Sequence, residues 1–190
     1  MILTFDKEMH EYRWGERIVP SVTQLLPKQK FDFISEFDLA LAIEEGNKNH
    51  SEVEQYVKSG VVQSAYVIAF MKFLVLHQGV YSKLGKLLYS EKMFYSEKYR
   101  YAGTPDLIFE NGIVDLKRSH GDAKIRALQL AGYHNLAIEN KIIHPTKKWF
   151  TLVIKDQKPS PKNIYHPMAE RVFLAQSQAR RSMDSFMRTN

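Results

Sequence analysis

Cysteine is missing from all 190 residues. Its absence excludes disulfides, thiolate zinc sites, iron–sulfur clusters and cysteine nucleophiles. The chain also lacks any Ser/His/Asp or Cys/His signature, which argues against a small-molecule hydrolase built on such a group. No long hydrophobic run is present. The most apolar stretch, 61–76, is interrupted by Gln63, Ser64 and Lys72, so it reads as a core helix rather than a membrane span. Met1 to Glu8 has neither the basic start nor the apolar run of a secretory signal, so a soluble, cytoplasmic protein is expected. There is no internal repeat and no low-complexity segment.

What is present is globular composition, with 44% hydrophobic, 12% aromatic and 25% charged residues. A chain of this length buries about two-thirds of its unfolded surface, so it needs no covalent or metal staple to fold. One domain over 1–190 is expected. The net charge of +6 is uneven: 1–140 hold 17 Lys plus Arg against 18 acids, whereas 141–190 hold 10 against 3. A basic C-terminal quarter on a near-neutral body suits a polyanion, because phosphate contacts release condensed counterions. A solubilising surface is the plainer reading of the same charge.

Along the chain, Ile2–Phe5 and Glu11–Trp14 read as short strands, with a turn at Trp14-Gly15-Glu16. Ser21 is placed to cap a short helix that Pro27 closes. Phe33, Phe37 and Leu41 continue as an amphipathic helix, with Gly46 as its stop or kink. A helix over Asn49–Lys58, ended by Ser59-Gly60, and an apolar helix over Val61–Gln78, ended by Gly79, follow. The pattern then shifts to short strands at Lys92–Tyr95, Lys98–Tyr101, Pro105–Glu110 and Ile113–Lys117, with Asn111-Gly112 as a hairpin signal. Lys124–Asn140 returns to helical periodicity. Trp149–Ile154 reads as a strand, Pro159-Ser160-Pro161 as a loop and Met168–Met187 as a final helix. This order predicts an α/β fold in which a mixed central sheet is flanked by helices, with helical additions in front.

The chemistry-bearing stretch is Tyr101-Ala102-Gly103-Thr104-Pro105-Asp106, then Asp115-Leu116-Lys117. Asp115 and Lys117 are two apart on a strand, so they share a face. Pairing in the hairpin could bring Asp106 beside Asp115. Two close carboxylates repel unless a cation lies between them, and an oxygen-rich site suits Mg²⁺ or Mn²⁺. Lys117 could then orient water or stabilise charge on a phosphate. The plain alternative is a Gly-Thr-Pro-Asp turn beside a surface Asp/Lys pair. On the following helix Arg126, Gln129 and Tyr133 share one face. Upstream, His50 and Glu54 are four apart on another helix, and a neutral imidazole can serve a Mn²⁺-tolerant site.

In this order the residues resemble the PD-(D/E)XK nuclease superfamily, in its RecB-like and phage exonuclease branch. The likeness runs in pieces from about Tyr12 to Ala137. Ile18-Val19-Pro20-Ser21-Val22-Thr23 is similar to the branch's early "PSVT" segment, and 46–56 to its Gly-then-His helix. Glu91 with Tyr101–Asp106 resembles the "E…AGt.D" strand motif, and Asp115-Leu116-Lys117-Arg118-Ser119 resembles D-x-K-T/S with Arg118 in place of Thr. Gln129–Tyr133 is similar to the Q-x-x-x-Y helix.

The resemblance implies a restriction-endonuclease-like core divided as 1–80 (hairpin and helices), 81–140 (catalytic sheet and helix) and 141–190 (strand and basic helix). It implies Asp106, Asp115 and the Leu116 carbonyl as metal ligands, with His50 completing the shell. Glu91 contributes through a water or a second cation, and Glu54 is a weaker candidate. Lys117 is implied as the catalytic lysine, with Gln129 and Tyr133 supporting the site and gripping the strand. Arg118, Arg126, Arg171, Arg180 and Arg181 are candidate nucleic-acid contacts. The activity implied is Mg²⁺- or Mn²⁺-dependent hydrolysis of DNA phosphodiesters, most simply by a phage-type exonuclease serving recombination or DNA processing. A structure-specific or nicking endonuclease, or a silent nucleic-acid-binding module, are the alternatives. DNA is the implied partner; a recombination or single-strand-annealing protein and an oligomer are compatible with it, as is the host cytoplasm for a viral member.

Overall fold

The chain begins with two small layers that prepare the main sheet. In the computed structural model, which describes residues 1–27, 35–76, 83–119 and 121–188, strands β1 (Leu3–Asp6), β2 (Glu11–Trp14) and β3 (Arg17–Val19) form an antiparallel meander. The Ser21 hydroxyl accepts the Gln24 N–H at 3.0 Å and starts a 3-10 turn, Thr23–Leu25. Helix α1 (Glu36–Ser59) is capped by the Ser35 hydroxyl, which accepts the Asp38 N–H at 3.1 Å. It ends at Gly60, whose φ of +72° only glycine adopts cheaply. Helix α2 (Ala65–Leu76) follows. The ends expected at Phe33 and at Gln78–Gly79 lie outside the described residues.

Gly46 does not stop α1, which runs through it to Ser59. It sits inside the helix with nothing within 4 Å of the position a Cβ would take. A lone interior glycine costs a helix about 1 kcal/mol, and a well-capped 24-residue helix absorbs that.

The main sheet has five strands in the order β10-β9-β8-β7-β4: β4 (Leu87–Ser90), β7 (Leu107–Phe109), β8 (Gly112–Lys117), β9 (Trp149–Lys155) and β10 (Lys158–Asn163). Strands β8 and β9 run parallel and the other neighbours antiparallel, so the sheet is mixed. Helix α3 (Ala123–Glu139) makes the crossover between β8 and β9, and α4 (Ala169–Arg188) packs on α3. A two-stranded ribbon, β5 (Phe94–Ser96) with β6 (Tyr101–Gly103), lies against α3. The expected class, α/β with a mixed central sheet and helices in front of it, is what forms.

Several sequence expectations change here: 98–100 form a turn ahead of β6 rather than a strand, and the apolar helix starts at Ala65 rather than Val61. Pro159-Ser160-Pro161 is part of the edge strand β10, not a loop. An outer edge tolerates proline because no further strand needs its N–H. Asn111-Gly112 does mark a hairpin, but the turn is Glu110-Asn111 and Gly112 already pairs with Phe109. A Cβ at 112 would run into Leu84 and lie 2.6 Å from the Lys148 carbonyl, so close packing rather than turn geometry demands glycine.

Alternation along β8 sorts the core. Val114 and Leu116 join Val53, Phe70 and Phe73 on the α1–α2 side. Ile113 joins Leu130, Tyr133, Trp149 and Phe173 on the α3–α4 side. Asp115 and Lys117 therefore leave the sheet toward α3.

Candidate metal centre

The β7–β8 hairpin fixes the first two acids. Its register pairs Leu107 with Val114, so one step further sets Asp106 against Asp115. The Asp106 carboxylate is 7% exposed, and its Oδ2 accepts the Leu116 N–H at 2.5 Å. The Asp115 side chain is 1% exposed, and its Oδ1 accepts from the Lys117 ammonium at 2.8 Å. Asp115 Oδ2 is buried and finds no hydrogen-bond partner among the described residues.

Helix α1 brings His50 across the hairpin. Its Nδ1 is 3.0 Å from Glu91 Oε1 and 3.5 Å from Asp106 Oδ1, and its Nε2 is 3.2 Å from the Leu116 carbonyl oxygen. A carbonyl only accepts, so Nε2 carries a proton, and the carboxylates favour a second on Nδ1. The imidazole is pushed up to about 9, chiefly by the negative charge of Asp106 and against the cost of burial. Glu91 follows β4 with φ at +48°, a strained conformation for a residue with a side chain. Its N–H donates to the Asp106 carbonyl at 3.0 Å, which pins this carboxylate beside the other two groups.

Both aspartates are raised by burial. For Asp106 the positive charges of His50 and Lys117 oppose the shift. For Asp115, held up at about 6, the Lys117 ammonium opposes it while Asp106 adds to it. Crowded, desolvated carboxylates are what a cation relieves. Candidate ligand atoms of His50, Glu91 and Asp106 lie within 4.8 Å of one another, and Asp115 feels the charge of Asp106 from the neighbouring strand. An oxygen-rich set with one imidazole fits a hard or borderline divalent ion.

Helix α3 supplies the lid of the site. Asp122 caps it, its Oδ1 accepting the Lys124 N–H at 2.7 Å. Two turns on from the cap, Gln129 Nε2 donates to the Tyr133 hydroxyl at 3.3 Å. The Tyr133 phenol is held protonated by burial and by the charges of Asp106 and Asp115. Gly103 lets α3 approach: a Cβ there would stand 2.8 Å from Val22 Cγ2 and 3.0 Å from the Tyr133 ring.

The sequence candidates separate into those at the centre and those away from it. Asp106, Asp115, Leu116, Lys117, His50 and Glu91 converge, with Gln129 and Tyr133 above them. Arg126 stands beside Lys117 in the walls of two adjoining cavities. Arg118 lines one of these and pairs with Glu45 at 2.7 Å. Glu54 is away from the group, paired with Lys58 at 2.5 Å on its own helix. Arg180 lines the larger cavity and pairs with Asp184 at 3.2 Å. Arg181 reaches the Lys98 carbonyl at 3.4 Å instead, and Arg171 is exposed near the start of α4.

Three residues were missed by sequence reasoning. Tyr66 on α2 lines the smaller cavity, and its phenol is raised by burial and by Asp106. Tyr12 on β2 bonds Thr104 at 2.6 Å and feels the charge of Glu91 after the larger effect of burial. Thr151 pairs in register with Asp115, and its buried hydroxyl also has no partner among the described residues. A lone polar residue inside the apolar strand WFTLVIK was the available signal for Thr151. No family model matches the chain, and no curated protein matches it.

Proposed function

We propose that this protein is a divalent-cation-dependent nuclease that hydrolyses DNA phosphodiester bonds from a restriction-endonuclease-like core. The observation that carries the reading is the convergence of Asp106, Asp115 and Lys117 on one hairpin, with His50 and Glu91 closing on Asp106. Asp106, Asp115, Glu91, His50 and the Leu116 carbonyl are the residues that would hold Mg²⁺ or Mn²⁺. A bound cation supplies a Lewis acid for the phosphate and makes water a better nucleophile.

The remaining steps belong to side chains. Lys117, fixed by Asp115, presents an ammonium to the phosphate and stabilises the charge that builds there. Gln129 and Tyr133, both protonated donors, hold a phosphate oxygen or the attacking water in line. Burial of Asp106 and Asp115 keeps bulk water from competing for the same contacts. The basic C-terminal quarter supports a polyanionic substrate.

An exonuclease is the form tested first. Linear duplex, nicked circle, closed circle and single strands are incubated with Mg²⁺ or Mn²⁺, with Asp115→Ala and Lys117→Ala as controls. Digestion of linear DNA alone, lost in both variants, is the expected result. Cutting of closed circles reassigns the enzyme as an endonuclease. Absence of cleavage on every substrate overturns the nuclease reading.

A further inference from the structure

The centre opens on two sides. Toward the N-terminal layers lies a cavity of about 930 Å³, and toward α1 and α2 one of about 380 Å³. Lys117 and Arg126 line both, so these two cations stand where the cavities meet. Volumes of this order suit ligands of one to a few nucleotides.

The walls of the larger cavity are of two kinds. Ile18, Leu25, Leu26 and Ile125 are its apolar lining, while Lys117, Arg126 and Arg180 are its cations, with Asp184, the partner of Arg180, beside them. Arg126 is held ready: its buried Nε has no partner among the described residues. Its guanidinium lies over Gly121, where a Cβ would come within 3.3 Å of it. The smaller cavity offers one aromatic face, Tyr66, beside Asn49 and Arg118.

We propose that the two cavities form one path for a single, unpaired DNA strand, with bases against the apolar lining and phosphates along Lys117, Arg126 and Arg180. The proposal rests on the nuclease reading and specifies the form in which substrate enters. Two arguments favour an unpaired strand over a duplex. The acids that must meet the phosphate are 7% and 1% exposed, at a depth that one strand reaches more readily than a double helix. Paired bases also keep their faces stacked inside the helix, so an apolar wall has nothing to hold; unpaired bases present those faces. The N-terminal meander and 3-10 turn thus acquire a role as one wall of the strand path.

The test is fluorescence anisotropy with fluorescein-labelled oligothymidylate and a blunt duplex of equal length. The full chain is used with EDTA present to prevent cleavage. The single strand is expected to bind at least about tenfold tighter than the duplex. Three cations predict a slope of about −2 for log affinity against log salt. Ile18, 54% exposed, is a safe site for a charge, and Ile18→Glu is expected to weaken strand binding by about tenfold without lowering the melting temperature. Arg180→Ala, as a second variant, is expected to cost a few-fold and to flatten the salt slope. Equal or tighter duplex binding, or an unchanged affinity in Ile18→Glu, overturns the proposal. Tight strand binding without cleavage of any DNA upholds the path and overturns the nuclease reading. Cleavage of single strands at equal rates by wild type and Ile18→Glu does the reverse.

Discussion

The two faces of the central sheet are built to different rules. On the α1–α2 face the buried residues run from Val53, Phe70 and Phe73 to Val114, Leu116 and Leu152, with Glu52 as a buried charge that accepts the Ser64 hydroxyl. On the α3–α4 face Asp115, Gln129, His134 and Thr151 are buried among Ile113, Leu130, Trp149 and Phe173. Buried polar groups cost stability unless they are paired. One face thus acts as a foundation, and the other carries groups that the fold alone does not need. Strand β8 serves both, because its alternation sends Val114 and Leu116 one way and Asp115 and Lys117 the other.

Substitutions should separate the faces. Asp115→Ala is expected to lower the proposed nuclease activity by about a thousandfold or more. The same variant should melt no lower than wild type, because it removes a buried carboxylate held up by desolvation; a large fall in melting temperature would erase the contrast. Phe70→Ala, on the other face, should cost about 3–5 kcal/mol in denaturant titration, with activity per folded molecule retained. Thr151→Val replaces the orphan hydroxyl beside Asp115 with a methyl. It is expected to weaken cation affinity by about tenfold, read by titration calorimetry, with little change in stability.

The acid side of the comparison also has a pH signature. Asp115 titrates at about 6 in the fold against 3.8 for the free side chain. Between those values the folded state keeps a proton that the unfolded chain gives up, so cation-free protein loses stability as pH rises from about 4 through about 6. Adding Mg²⁺ above pH 6 should return much of that loss, visible as a rise in melting temperature. An unchanged midpoint with Mg²⁺ would separate the raised carboxylate from any cation. His50, raised to about 9 from 6.5, runs in the same direction at higher pH. It contributes stability below about 6.5 that fades as pH passes 9.

Much of this arrangement was legible in the residues because it is local. The spacing from Asp106 to Asp115 brackets a hairpin, and hairpin register follows from the short turn between them. His50 was readable as a candidate, but its approach to Leu116 depends on how α1 crosses the sheet, which periodicity does not encode. Strand β4, Leu87–Ser90, escaped notice because Lys83, Lys86 and Glu91 flank its short apolar core with helix-like polarity. Gly46 reads locally as a helix stop, but the cap at Ser35 and the left-handed Gly60 set the ends of α1 and carry it through position 46. Tyr12 and Tyr66 carry no spacing signal, since contacts across the fold bring them to the centre. No helix among the described residues is long and apolar enough to cross a membrane.

The N-terminal wall has a consequence for synthesis. Ser21 bridges to Ala102, and the backbone of Ala102 bonds both Pro20 and Val22 at 2.9 Å. Translated at roughly 5–20 residues per second, the early segment leaves the ribosome about 4–16 s ahead of its clasp. Throughout that interval the nascent meander exposes an open strand edge. Slowing elongation before position 102 would prolong that exposure and raise the demand for chaperones.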